Sequence, residues 1–238
     1  MDVNSNNYTF MFAAGMVLVV AAILSLAATS LKPFQDTNIE QEKMQNILSS
    51  IGVDVTRAEA PEAYGTYIKQ ALVINNNQSI DGIDAFTIDM EKEIKTDPEE
   101  RNAPLYIAEK DGETYFILPL QGKGLWGPVW GYISLKDDMN TVFGATFDHK
   151  TETPGLGAEI TTAIFTDQFP GKKILDAQGS LVSIEVRKGD ASGDYQVDGI
   201  SGGTITSNGV QDMIKDCLQS YLTFLKSYQV NTATASIN

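Results

Sequence analysis

From Tyr8 to Leu31 the chain carries no charged side chain, and Phe10, Met11, Phe12, Val17, Leu18, Val19, Val20, Ile23, Leu24 and Leu26 fall within that run. As a helix rising 1.5 Å per residue, about 24 such residues reach about 36 Å, enough to cross a hydrocarbon core of about 30 Å with some tilt. The run is expected to be a retained single membrane span. A cleaved signal peptide fits less well: the first seven residues lack Lys and Arg, and the run is longer than a usual signal core. Gly15 and the small Ala and Ser residues would let another helix pack closely. Whatever follows must then fold as one anchored domain.

Composition narrows what that domain does. The chain has 238 residues and a net charge of −14, from 17 basic and 31 acidic side chains. Such a balance argues against nucleic acid as a partner. A single Cys, Cys217, excludes an internal disulfide, a CxxC redox motif and a Cys-ligated iron–sulfur cluster within this chain. His149 is the only His, so His and Cys alone assemble no zinc site, and no metal site is expected.

Past Pro33, Thr37 and Glu40 fit a capping box, and Ile39, Met44, Ile47, Leu48 and Ile51 form an apolar stripe. Gly52 is the expected stop. Residues 53–101 are the least legible: a polar loop at Asn75–Gln78, a short strand at Phe86–Ile88 and a solvated turn at Asp97–Arg101. From Ala103 the pattern turns to β. Leu105–Ala108 and Thr114–Leu118 flank Asp111-Gly112, a hairpin signature. Val129–Leu135 and Thr141–Phe147 follow, with a turn at Asp137–Asn140. A short helix is expected near Glu159–Phe169, a strand at Ser180–Arg187 and a helix at Asn208–Lys226. On that last helix Val210, Met213, Ile214, Cys217, Leu218, Tyr221, Leu222 and Leu225 share one face, with Cys217 as buried filler. Residues from Asn231 onward are expected to fray. The fold class is α+β: one N-terminal transmembrane helix, then an antiparallel sheet packed by helices.

The chemistry concentrates in Asp198-Gly199-Ile200-Ser201-Gly202-Gly203-Thr204-Ile205-Thr206-Ser207. Gly202 and Gly203 let a ligand approach the backbone. The helix that follows offers unpaired N–H groups and a positive dipole end, which suit a phosphate. Thr204 or Thr206 could present a hydroxyl to it. Equally, Thr206 or Ser207 could cap the helix, with the glycines as its turn. Two more loops stand out. Gly122–Pro128 presents Trp126, which could stack on a flat ring or close the edge of the core. Glu152–Glu159 reads alone as a tight turn.

The Asp-Gly-Ile-Ser-Gly-Gly-Thr stretch resembles the flavinylation motif of the FMN-binding domains of bacterial respiratory complexes. There the motif usually has Ala where this chain has Gly203. The order of Gly-Lys-Gly-Leu-Trp-Gly-Pro, Glu-Thr-Pro-Gly-Leu-Gly-Ala-Glu and the Thr204 motif is similar to the C subunit of the Na⁺-translocating NADH:quinone oxidoreductase (the Nqr complex). The G subunit of Rnf-type complexes, which shares the latter two motifs, is the alternative. An anchored domain that is never flavinylated is the alternative of a different class. The resemblance implies FMN bound covalently by its phosphate to Thr204, attached by a dedicated flavin transferase. It implies that Ser201, Gly202, Gly203, Glu152, Thr153, Leu156 and Trp126 surround the flavin, and that Asp198 serves the transferase. It implies an electron relay beside other subunits of the Nqr complex, in the inner membrane, with the large domain periplasmic. Lys32 alone, read by the positive-inside rule, would place that domain in the cytoplasm. No Rossmann fingerprint follows a strand, so no nicotinamide site is expected. The chain is accordingly divided into an anchor (1–32), a helical linker with the start of the domain (33–102), the FMN-binding domain (103–230) and a polar tail (231–238).

Overall fold

The computed structural model describes residues 5–235, and their contacts divide the chain between Lys43 and Met44. The first unit is the greater part of helix α1 (Asn6–Ser49). Its apolar side chains, Phe10, Leu18 and Leu26 among them, are exposed. Among the described residues α1 is the helix long and apolar enough to cross a membrane, which fits a single-pass anchor. The helix does not restart at Thr37. It runs on through Pro33, which forgoes one backbone donor. The Thr37 hydroxyl donates to the Pro33 carbonyl at 3.0 Å, because within a continuous helix there is no free N–H for it to cap.

In the second unit, α1 ends where Gly52 predicts. The Val53 N–H donates to the Leu48 carbonyl at 3.0 Å and the Gly52 N–H to the Ser49 carbonyl at 2.9 Å. That is a Schellman closure, and Gly52 takes its left-handed position at φ 66°. After α2 (Ala60–Tyr67) come β1 (Ile68–Asn75) and β2 (Gln78–Ile80). Asn76 and Asn77 join these strands at φ 47° and 63°, the pair of positive values a type I′ hairpin needs. The polar loop is thus a hairpin tip. Phe86–Ile88 is not a strand. Ala85–Thr87 forms a 3₁₀ turn in which the Asp84 carboxylate accepts from the Phe86 N–H at 2.9 Å. A one-turn helix, α3 (Met90–Glu93), follows.

The predicted hairpins appear as β3 (Ala103–Lys110), β4 (Glu113–Lys123), β5 (Pro128–Leu135) and β6 (Val142–His149), all antiparallel. Asp111 and Gly112 turn the first pair at φ 55° and 82°. With β1 and β2 they make one six-stranded sheet ordered β2-β1-β3-β4-β5-β6. The sheet therefore takes in strands upstream of residue 103. Strand periodicity splits the core between its two faces. Leu105, Ile107, Phe116, Leu118 and Leu120 point to one side, Tyr106, Ala108, Tyr115 and Ile117 to the other. The second side is covered by Ile47 and Ile51 from the end of α1. The first is covered by Phe165, Phe169 and the apolar stripe of α5 (Thr204–Gln219).

Four expectations for the second half change. The segment Glu159–Phe169 divides into a 3₁₀ turn at Gly157–Thr161 and the short α4 (Ala163–Thr166). The Ser180–Arg187 strand shrinks to β7 (Glu185–Arg187), paired in parallel with β8 (Gln196–Asp198). Ser183 sits at φ 65°, and a left-handed residue interrupts an extended run. The last helix starts at Thr204, turns at Ser220 and Tyr221, and continues as α6 (Leu222–Ala235). The tail expected from Asn231 is helical to Ala235; residues 236–238 lie outside the described residues. Arg101, expected in a solvated turn, is 5% exposed.

Cys217 is buried filler, as its place on the apolar face predicts. Burial pushes its thiol from 9.0 up to about 12. In the folded chain it should resist a thiolate-directed alkylating agent at pH 8 and react once unfolded in urea. The raised value favours the protonated thiol in the fold. Its contribution is complete below pH 9.0 and falls away as the pH climbs toward about 12. Urea melts at pH 8 and pH 10.5 test the sign: the midpoint should drop at the higher pH by more in the wild type than in a Cys217→Ala chain.

Candidate functional site

The glycine-rich motif occupies the link from β8 to α5. Gly202 stands at φ 75°, and a Cβ there would come 2.6 Å from Leu156 Cδ2. The positive φ is what requires glycine; the contact alone would be relieved by a turn of the exposed Leu156 side chain. Gly203 is the residue before the helix, and Thr204 is its first residue. The Ser207 N–H makes a helical bond to the Gly203 carbonyl at 2.9 Å. Earlier N–H groups of the turn have no carbonyl behind them and give α5 a positive N-terminal end.

The four hydroxyls of the motif have different fates. Thr206 and Ser207, each 1% exposed, are committed. The Thr206 hydroxyl donates to Glu152 Oε2 at 2.6 Å. The Ser207 hydroxyl accepts from the Ile200 N–H at 2.9 Å and braces the turn. Neither caps α5 in the expected way, since both lie inside its first turn. The hydroxyls of Thr204 and Ser201 hold no hydrogen bond to a described residue. Ser201 lines one cleft, and Thr204 lines two.

The first cleft, about 240 Å³, lies between Trp126, Glu152, Leu156, Gly202, Thr204 and Thr206, with Thr153 and Gly203 also in its wall. The second, about 220 Å³, is on the other side of the motif, with Arg187, Lys188, Gly199, Ser201 and Thr204. Of the residues predicted for the flavin, Thr204, Gly202, Gly203, Glu152, Thr153, Leu156 and Trp126 meet in the first cleft, and Ser201 in the second. Trp126 is 66% exposed and Leu156 42%, so Trp126 does not close the core edge. Asp198 faces neither cleft. Its carboxylate accepts from the Ala191 N–H at 2.8 Å, and its own N–H and carbonyl pair with the Gln168 amide. Leu125 and Ile205 also line the first cleft, and the sequence reading missed both. An isoleucine that falls off the apolar stripe of α5, 59% exposed, was the signal for one of them.

Glu152 is 5% exposed, although its loop reads as a surface turn. Its Oε1 accepts from the Trp126 N–H at 2.8 Å and its Oε2 from Thr206. Its N–H donates to His149 Nδ1 at 3.3 Å. Three loops distant in sequence are thereby closed on one another.

Residues 124–219 match the FMN-binding domain family. The match opens at the Trp126 loop and closes on the last residue of α5, so it encloses the first cleft. Among known proteins, the chain is 34% identical over 216 residues to the C subunit of the Na⁺-translocating NADH-quinone reductase of Vibrio alginolyticus, covering 83% of this chain and 84% of that one. The chain belongs to the C-subunit family of Na⁺-translocating NADH-quinone reductases. The C subunit of Haemophilus ducreyi is 31% identical over 217 residues, covering 83% and 84%. The crystal structure of the C subunit from Parabacteroides distasonis superposes with a TM-score of 0.75 at 44% identity, over 82% of this chain and 96% of that one. The Shewanella oneidensis NqrC structure shares the fold, with a TM-score of 0.68 at 24% identity, over 81% and 99%. The expected α+β fold and family stand, and the Rnf-type alternative gives way to NqrC.

Proposed function

We propose that this chain is the membrane-anchored FMN carrier of a Na⁺-translocating NADH-quinone reductase, with FMN joined through its phosphate to Thr204. The observation that carries the reading is the Thr204 hydroxyl: it is free, it stands at the N-terminus of α5, and it opens onto the cleft that holds Trp126 and Leu156. The residues present suit the cofactor. Gly202 and Gly203 leave room beside Leu156 that side chains would fill. The N-terminal end of α5 favours the remaining phosphate charge. Exposed Trp126, Leu156, Leu125 and Ile205 offer apolar surface to a flat ring.

When bound, FMN supplies one- or two-electron transfer. Thr204 fixes the cofactor at one point, so the chain does not depend on free FMN outside the cytoplasm. Leu156 and Trp126 would hold the cofactor by their apolar surface and keep water from it. Both clefts open to solvent, so a neighbouring subunit would have access to what they hold. Other subunits of the complex are the electron partners, and a flavin transferase performs the attachment. Asp198, held by the Ala191 N–H and the Gln168 amide, shapes the loop the transferase must recognise. The large domain lies on the periplasmic side of the inner membrane. The reading is tested by expressing the full chain with its transferase and running denaturing electrophoresis under ultraviolet light. A fluorescent band, with the flavin mapped by mass spectrometry to the peptide containing Thr204, is the expected result. A dark band, with the transferase active on a control substrate, refutes covalent attachment.

A further inference from the structure

Among the described residues, Glu152 is the one ionisable side chain in the wall of the first cleft, whereas Arg187 and Lys188 line the second, on the other side of Thr204; the position of Glu152 is unusual. At 5% exposure a carboxylate needs a reason to be there, since burying one is costly unless its oxygens are paired. Both are: Oε1 by the Trp126 N–H at 2.8 Å, Oε2 by the Thr206 hydroxyl at 2.6 Å. The surrounding glycines are shaped to it. A Cβ on Gly124 would come 2.5 Å from Oε1, and one on Gly157 would overlap both Oε2 and Thr206 Oγ1. Neither of these two partners is a cation. Two dipolar donors hold the carboxylate in place, and no opposite charge among them cancels it. The N-terminal turn of α5, which contains Thr206, supplies a further favourable field.

We propose that Glu152 is the positioning residue of the cleft: its buried carboxylate ties the Trp126 loop to the first turn of α5, and leaves a fixed negative charge in the wall that opposes reduction of whatever Thr204 carries. This deepens the reading of Thr204 as the flavin site and rests on it for the electrostatic part alone; the mechanical part concerns the chain by itself. Two substitutions separate the parts. Glu152→Gln is isosteric and keeps an acceptor for Trp126, while the Thr206 hydroxyl can turn to accept from the amide; it removes the charge and keeps the tie. Glu152→Ala removes both.

The test uses the full chain in a Trp130→Phe background, so that Trp126 is the only tryptophan. Without flavin, fluorescence anisotropy and iodide quenching read the Trp126 loop. Glu152→Ala should lower the anisotropy and raise quenching at least twofold, with Glu152→Gln close to wild type. With flavin attached, dithionite titration reads the midpoint potential. Glu152→Gln should shift the potential of the flavin-carrying fraction positive by about tenfold in the reduction equilibrium, about 30 mV for a two-electron couple. Unchanged Trp126 signals in Glu152→Ala overturn the tie. An unshifted or negative potential in the flavin-carrying fraction of Glu152→Gln overturns the charge. A wild-type chain that takes no flavin refutes the Thr204 reading and the charge with it, and the Trp126 comparison still decides the tie.

Discussion

A Thr204→Val chain produced with the flavin transferase is expected to melt like the wild type and to give no fluorescent band after denaturing electrophoresis. The reasoning is geometric. Valine keeps the shape of threonine and loses only the oxygen. That oxygen makes no hydrogen bond to a described residue, so its loss breaks nothing in the fold. Surface changes of this kind stay within about 0.5 kcal/mol. Thr204→Ser restores a hydroxyl on a freer side chain and should recover a fluorescent band of lower intensity. Thr206→Val is the contrasting case. Its hydroxyl is buried on Glu152, so this variant should lose about 2 kcal/mol, the scale of a hydrogen bond to a charged group, and remain fluorescent. The reverse outcome, a dark Thr206→Val and a bright Thr204→Val, would move the attachment to Thr206 and sink the assignment to Thr204.

The contrast between those two threonines shows what a sequence can and cannot convey. Both follow the glycines, both are hydroxyls, and their spacing from the helix is ambiguous by a turn. What separates them is the start of α5 at Thr204, four residues before the apolar periodicity becomes regular at Asn208. The first helical turn carries Thr204 and Ile205, which the apolar stripe does not use. The sheet was legible from Ala103 onward because Asp111-Gly112 and the alternating strands are local signals. Strand β1 was not, although Ala71, Leu72, Val73 and Ile74 are apolar: its hairpin partner β2 is only three residues long, so Asn76-Asn77 read as a loop and not as a hairpin tip. Its longer pairing, with β3, begins only at Ala103, beyond β2 and α3. Buried Glu152 was legible only as a member of a motif. Its burial depends on the Trp126 loop and on Thr206, 54 residues away, and no window along the chain holds all three.

Arg101 makes the same point with a larger expected cost. It stands after Asp97-Pro98-Glu99-Glu100, a run that suggests solvent, yet its side chain is 5% exposed. Its Nη1 meets Asp216 Oδ2 at 2.8 Å. Its Nε and Nη2 donate to the Thr96 and Ile94 carbonyls at 2.8 and 3.1 Å. A planar fork is thus spent on one carboxylate and two loop carbonyls, which ties residues 94–101 to α5. Arg101→Met keeps much of the volume, leaves those carbonyls without a donor and strands Asp216. Losing one side of a buried pair costs about 3–5 kcal/mol. Asp216 is 47% exposed and can be rehydrated, so about 3 kcal/mol, the low end of that range, is expected in urea denaturation. Arg101→Lys should recover only part, because an ammonium cannot reproduce the fork. A loss below about 0.5 kcal/mol for Arg101→Met would place Arg101 with ordinary surface residues and refute the tie. Asp216 lies twelve residues along α5 from Thr204, roughly 18 Å at the helical rise. The folded fraction of Arg101→Met should therefore still take flavin. Stability and attachment are then separable along one helix, anchored by Arg101 toward one end and carrying its chemistry at the other.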